Sequence, residues 1–245
     1  MKITLENSIS HVEINSSGAY IDTFEVKGKS IFFPKVMVKI EDQLKVRGGM
    51  HLCAPNFGED KILYSLENHG FARDLNWQFI DYGEDFAKLS LDGIGLYEGI
   101  KFIIDYKLSH TNLFAKLLIE NNSNKQVLLA PGFHPYFYAE HKAIFINNKK
   151  IDKNQLPNSI IDNSFKESFV TNGNKIFIEG LKNINEFVFW SDFKGDYLCV
   201  EPTYKSIAFK DDNGGAYRLK PGKKFEQSIN IKVTLWSFLI GALFF

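Results

Sequence analysis

The chain has 245 residues, 44% of them apolar, with 29 basic and 29 acidic side chains. That length suits one large domain, and the apolar share is enough for a sizeable core. Balanced charge excludes the footprint of a nucleic-acid binder and of a protein drawn to an anionic membrane, which leaves a neutral or modestly charged small molecule as the ligand class.

From the N-terminus onward the pattern is mostly of period two. The start, MKITLENSIS, lacks the apolar run of a secretory signal. Alternation is clear in KFIIDYKLSHTNLFAKLLIENNS, where residues 113–120 read as a strand that Asn121-Asn122-Ser123 ends. Residues 147–175 are polar and read as loop-rich. Residues 187–190 and 197–200 read as strands with SDFKGD between them. Asp212-Asn213-Gly214-Gly215 reads as the turn of a hairpin joining residues 207–210 to 216–219. Pro221-Gly222 turns the chain again, and residues 228–233 alternate cleanly. No long stretch keeps helical spacing. The expected fold is therefore all-β, a large antiparallel β-sandwich in a single domain over residues 1–232.

Residues 233–245, VTLWSFLIGALFF, are thirteen positions without a charge. A membrane span needs about 20 residues, so this tail reads as a buried terminal segment or a frame artefact rather than an anchor. Cys53 and Cys199 are the two cysteines and form no C-x-x-C pair. That suits a reducing compartment, and the cytoplasm is the expected location.

No G-x-S-x-G elbow, phosphate-cradling loop, H-E-x-x-H or dinucleotide fingerprint occurs. Four stretches remain: RGGMHLCAPNFGE (47–59), NHGFARDLNW (68–77), PGFHPYF (131–137) and CVEPTY (199–204). Each joins an ionisable residue to a turn-former and an aromatic or apolar neighbour. Singly they are weak: a histidine beside glycine is commonly structural, Arg47 before two glycines can be a solvated charge, and Glu201 before Pro202 can close a strand end. His134 differs because two prolines flank it. Pro135 pushes it toward an extended backbone, and Pro131-Gly132 reads as a turn leading into that rigid mount.

Together, and in this order, the four stretches resemble the aldose 1-epimerase (galactose mutarotase-like) superfamily, including its hexose-6-phosphate branch. LKPGKKF (219–225) is similar to that family's closing hairpin. The resemblance covers roughly residues 10 to 233 and implies the galactose mutarotase-like supersandwich. It implies an isomerase that interconverts the α and β anomers of an aldohexose or related sugar. One group takes the proton of the anomeric hydroxyl, another protonates the ring oxygen, the ring opens, C1 turns, and the steps reverse.

Carried over motif by motif, the resemblance makes Glu201 the base and His134 the acid. A carboxylate nearby is expected to raise the His134 pKa. His69 hydrogen-bonds the sugar near its ring oxygen or assists proton transfer. Arg47 and Arg73 hold hydroxyls or a phosphate, and Phe57, Phe133 and Tyr136 pack on the sugar's C–H faces. The family's substrate-binding aspartate has no clear counterpart; Asp192 and Asp162 are candidates by position only. His51 reads as structural. The expected partner is a small sugar or sugar phosphate, with no cofactor or metal, in a monomer or homodimer. Two other readings stand beside this one: a catalytically silent sugar-binding protein on the same fold, and a metal site of His51, His69, His134 and Cys53.

Overall fold

A computed structural model describes residues 1–59, 65–140, 143–171, 173–209 and 215–235. In chain order its strands are β1 (Lys2–Glu6), β2 (Ser10–Asn15), β3 (Tyr20–Val26), β4 (Lys29–Ser30), β5 (Val36–Ile40), β6 (Gln43–Arg47), β7 (Met50–Cys53), β8 (Gln78–Tyr82), β9 (Phe86–Asp92), β10 (Ile100–Ser109) and β11 (Asn112–Asn121). There follow β12 (Val127–Leu129), β13 (Gly132–Tyr138), β14 (Phe145–Ile146), β15 (Lys149–Lys150), β16 (Ile160–Asp162), β17 (Lys166–Thr171), β18 (Asn174–Lys182), β19 (Glu186–Trp190), β20 (Tyr197–Thr203), β21 (Tyr217–Leu219) and β22 (Lys224–Leu235). Helix is confined, among the described residues, to 3-10 turns at Ala72–Asp74, Gly95–Tyr97 and Lys153–Asn158. None of the described helices is long and apolar enough to cross a membrane.

Two nine-stranded antiparallel sheets form the sandwich. The first runs β1-β2-β3-β7-β13-β20-β19-β16, with β4 beside β3; the second runs β15-β14-β17-β18-β22-β11-β10-β9-β8. Period-two alternation builds both, because successive side chains on a strand point to opposite faces. On β10, Ile100, Phe102, Ile104, Tyr106 and Leu108 are buried while Lys101, Asp105 and Lys107 point outward. Phe102 pairs with Ile119 and Ile104 with Leu117 on β11. The first sheet meets them with Leu52, Phe133, Phe137, Leu198 and Val200, and all join one continuous core. The Tyr106 hydroxyl donates to the Ala19 carbonyl at 2.8 Å, tying the second sheet to the start of β3.

The same alternation turns His51 and Cys53 on β7, His134 and Tyr136 on β13, and Cys199 and Glu201 on β20 away from that core. The stretch expected to open with a turn is thus extended strand from Gly132 onward, in mid-sheet. Gly132 does not bend it; Gly132 pairs with Cys53 on one side and Thr203 on the other. A Cβ there would lie 2.7 Å from the Phe57 ring, so glycine is what lets Phe57 close on the strand. Gly48 and Gly49, at φ +96° and +66°, make the bend from β6 into β7. CVEPT is likewise inside β20, so Glu201 caps no strand end.

Three further expectations need correction. Residues 207–209 form a turn rather than a strand, because Ala208 and Phe209 pack into a small side cluster with Leu128 and Ala130. β21 pairs with β12 instead of a hairpin partner; the hairpin tip at 212–214 lies outside the described residues. Residues 147–175 are not chiefly loop: β17 and β18 pair there over Lys166–Glu179 to Thr171–Asn174. At the far end, β22 continues through Val233 to Leu235, and Val233 is buried in the core. Residues 236–245 lie outside the described part.

The alternation on β10 sets unequal costs for neighbouring positions. Phe102→Ala is expected to cost about 3–5 kcal/mol by urea unfolding, and Ile103→Ala, on the outward face, about 1 kcal/mol or less. Equal losses at the two positions would contradict the register.

Candidate active site

A row of side chains crosses the outward face of the first sheet. β7 and β13 pair His51 with His134. The β13–β20 ladder pairs Gly132 with Thr203 and Tyr136 with Cys199 but is broken in between, where Pro135 and Pro202 have no N–H to give. His134 and Glu201 lie midway in that gap, level with each other. Glu201 in turn pairs with Val188 on β19. At the other end, the pairing of Ile21 with Met50 brings Tyr20 level with His51.

Tyr20, His51, His134, Glu201 and Val188 line an open cleft of about 920 Å³. His134 Nε2 lies 3.3 Å from Glu201 Oε2, with the two side chains 5% and 2% exposed. The His134 ring lies nearly parallel to two neighbours, His51 at 4.6 Å and 22° and Tyr136 at 4.7 Å and 17°. His69 stands edge-on to it at 4.9 Å, and Phe57 lies nearly parallel to it at 6.4 Å. A wall of rings therefore fixes the imidazole in position.

His69 reaches the cleft from the segment ahead of Ala72–Asp74. Its φ of +70° is a left-handed conformation that a histidine seldom takes. Backbone bonds hold it there: His69 N–H donates to the Phe57 carbonyl at 3.0 Å and Ala72 N–H to the Ala54 carbonyl at 3.0 Å. The Asn68 amide lies 3.1 Å from His69 Nε2, and Cys53 Sγ lies 3.3 Å from Nδ1.

Burial dominates the electrostatics. It pushes Glu201 well above the usual carboxylate range and His134 well below the usual imidazole value, with His69, Arg73 and Arg47 pushing His134 the same way. The expectation that Glu201 raises His134 is thus not met: desolvation of both partners outweighs their mutual attraction. Each group is driven toward its neutral form, so over a wide pH interval the pair holds one proton between two sites. Burial, then Arg73, lowers His69 to about 3, so it is a neutral hydrogen-bonding group.

The remaining expected residues divide. Arg47, Arg73, Phe57 and Tyr136 all line the cleft. Phe133 does not: it alternates with His134 and sits fully buried in the core. Arg47 donates from Nε and Nη2 to Asp192 Oδ2, at 3.0 and 2.9 Å, and lies over Trp190. Burial pushes Asp192 up, but hydrogen bonds from the Tyr197 hydroxyl, the Lys194 N–H and Arg47 hold it below the usual range. Asp192 therefore clamps Arg47 rather than lining the cleft. Asp162 is exposed on β16, and it is its neighbour Ile161 that faces the cleft.

Tyr20, Trp190 and Val188 line the site without any sequence signal that singled them out. Among the described residues, the donor set that converges is His134, Cys199 and Glu201, with atoms within 4.8 Å of one another. The set of His51, His69, His134 and Cys53 does not converge. Burial pushes the Cys199 thiol well up, so it is protonated. Both cysteines are free and buried.

The aldose 1-epimerase family model matches residues 1–167. The chain belongs to the aldose 1-epimerase family. Solved structures of similar fold include a protein from Synechocystis sp. PCC 6803, with 20% identity, TM-score 0.79 and 96% of each chain covered. A galactose mutarotase related enzyme from Lactobacillus acidophilus has 18% identity and TM-score 0.76, covering 96% of this chain and 97% of that one. A galactose mutarotase-like protein from Lactobacillus casei has 15% identity and TM-score 0.79, covering 96% and 100%. These likenesses establish the galactose mutarotase-like β-sandwich expected from the motifs.

A raised carboxyl pKa has a stability consequence with a definite sign. As pH rises through the ordinary carboxylate range, the unfolded chain releases the Glu201 proton while the folded chain keeps it. The folded state then binds more protons, and stability falls with pH over that interval. Glu201→Gln removes the term. The Tm of this variant relative to wild type is expected to climb as pH rises from the ordinary carboxylate range toward neutrality. A difference that is flat or shrinks with pH would show that Glu201 ionises normally in the fold.

Proposed function

We propose that the protein is an aldose 1-epimerase in which Glu201 and His134 move the protons of ring opening and closure. The observation carrying this reading is the buried pair itself: an imidazole nitrogen 3.3 Å from a carboxylate oxygen, level across a broken ladder and open to a cleft. Glu201 takes the proton from the anomeric hydroxyl. The C1–O5 bond breaks as O1 forms the carbonyl, and His134 delivers a proton to O5. Rotation about C1–C2 presents the other carbonyl face, and closure returns each proton along the same route. Protons balance over the cycle with no cofactor. His69, neutral, hydrogen-bonds the sugar beside its ring oxygen; Arg47 and Arg73 hold hydroxyls; Phe57 and Tyr136 pack against C–H faces. Two buried free thiols suit the reducing conditions of a cytoplasm.

A second reading, in which the sugar carries a 6-phosphate, is favoured by Arg73. Its Nε is buried without a hydrogen-bond partner among the described residues, and Asp74 stands 3.6 Å away and well exposed. Lys35 and Lys45 share the cleft with it. A phosphate would accept from such a fork. Comparing kcat/KM on glucose and glucose 6-phosphate separates the two substrates.

Polarimetry on freshly dissolved α-glucose or α-galactose, with and without protein, tests the reaction. No acceleration with any aldose or its 6-phosphate would leave a silent sugar-binding protein. Glu201→Gln is expected to lower kcat at least about a hundredfold, and near-normal turnover would remove Glu201 from the mechanism. His134→Asn is expected to cripple kcat and to flatten the acidic-to-neutral limb of its pH profile, since the limbs of that profile belong to the pair.

A further inference from the structure

We propose that His51 contacts the substrate, its Nε2 accepting a hydrogen bond from a sugar hydroxyl held beside His134. This rests on the aldose reading above and deepens it by assigning a residue that reads the sugar's hydroxyl pattern. His51 follows the RGG bend and sits one strand over from His134, on the side away from Glu201. Its ring lines the cleft.

The hydrogen bonds around it fix its tautomer. His51 Nδ1 lies 3.2 Å from the Tyr20 hydroxyl oxygen. That hydroxyl also lies 3.0 Å from the Gly48 carbonyl, to which it donates. A phenol has one proton, and a carbonyl can only accept. With its proton given to Gly48, the Tyr20 oxygen can only accept from His51, so Nδ1 carries the hydrogen. Burial first, then His134, Arg73, His69 and Lys35, hold the His51 ring in its neutral form. Nε2 is therefore a bare lone pair. It is buried and has no hydrogen-bond partner among the described residues.

A buried acceptor left without a donor is costly, and one facing a ligand cleft is completed when a ligand brings the donor. Packing between Tyr20 and His134 would be served as well by phenylalanine and needs no lone pair. The completing group must bring a hydrogen. A sugar hydroxyl does so; an ionised phosphate or carboxylate oxygen does not. A site built to hydrogen-bond a hydroxyl also rejects analogues that lack it, because its own polar group is then stranded.

The experiment compares wild type, His51→Phe and His51→Gln on an aldose that wild type turns over and on the series of its monodeoxy analogues. Wild type is expected to penalise one deoxy position by about tenfold or more in kcat/KM. His51→Phe should lose about that factor on the parent sugar, chiefly through KM, while its rate on that one deoxy analogue stays near wild type. His51→Gln, which keeps an acceptor, should retain part of the discrimination. Nitrogen-15 NMR of wild type should find the proton on His51 Nδ1, and Tyr20→Phe should release it to a mixture of tautomers. Unchanged discrimination in His51→Phe, or a proton on Nε2 in wild type, overturns the role of His51. Absence of both turnover and calorimetric binding of any aldose by wild type overturns the aldose reading itself.

Discussion

The contact between His134 and Glu201 is the constraint on which the rest of the site depends. Two ionisable groups buried side by side are costly in any protein. Here the cost is limited because together they need hold only one proton, and neither has to stand as an isolated charge. Burial pushes the carboxyl up and the imidazole down, so the form with a protonated Glu201 and a neutral His134 is the one the dry sheet favours. In the proposed mechanism that form is also the product of ring opening, when the sugar's proton has reached Glu201 and His134 has given up its own. Under the proposed mechanism, desolvation favours the proton movement that opens the ring, and the hydroxyls of a bound sugar would offset it for the ion pair that begins the cycle.

The sheet supplies the alignment. Side chains opposite one another on adjacent antiparallel strands come close when their backbones are level, and here five strands bring Tyr20, His51, His134, Glu201 and Val188 into one line. The two prolines act at its centre. Pro135 and Pro202 remove ladder hydrogen bonds on β13 and β20, one from each strand, while the pairings at Gly132–Thr203 and Tyr136–Cys199 hold register on either side. The flanking rings of His51 and Tyr136 then limit rotation of His134. Arg47, held by Asp192 over Trp190, keeps a guanidinium at the cleft wall without leaving its charge uncompensated.

Much of this was legible in the sequence because it rests on local pattern. Alternation in KFIIDYKLS identified a sheet with one buried face, and the four ordered motifs led to His69, His134 and Glu201. The errors also have local causes. Reading Phe133 as a sugar-packing ring overlooked that residues 133 and 134 must face opposite sides of a strand. Two prolines suggested a turn leading into a rigid mount because proline is rare in central strands; a second proline on the facing strand, which makes the gap mutual, is visible only once the strands are paired. The strand expected at 207–210 had the right composition but packs as a turn against Leu128 and Ala130, a tertiary choice that propensity does not contain. Tyr20 lay in an unremarked strand far from every motif. Its part in the site follows from register alone.

The direction of the His134 shift was the least legible feature, and the reason is general. A sequence shows which residues are acid and base but not how much water they lose. A carboxylate neighbour argues for a raised imidazole pKa; depth of burial argues for a lowered one, and the fold decides between them. In this chain the ring wall of His51, Tyr136 and Phe57, together with the cations Arg73 and Arg47, makes the second effect win. The aromatic and histidine rings that pack the site therefore have an electrostatic role alongside any contact with a sugar. By excluding water they strengthen the carboxyl's hold on a proton and weaken the imidazole's, which in the proposed mechanism favours Glu201 taking the anomeric proton as His134 gives one to the ring oxygen.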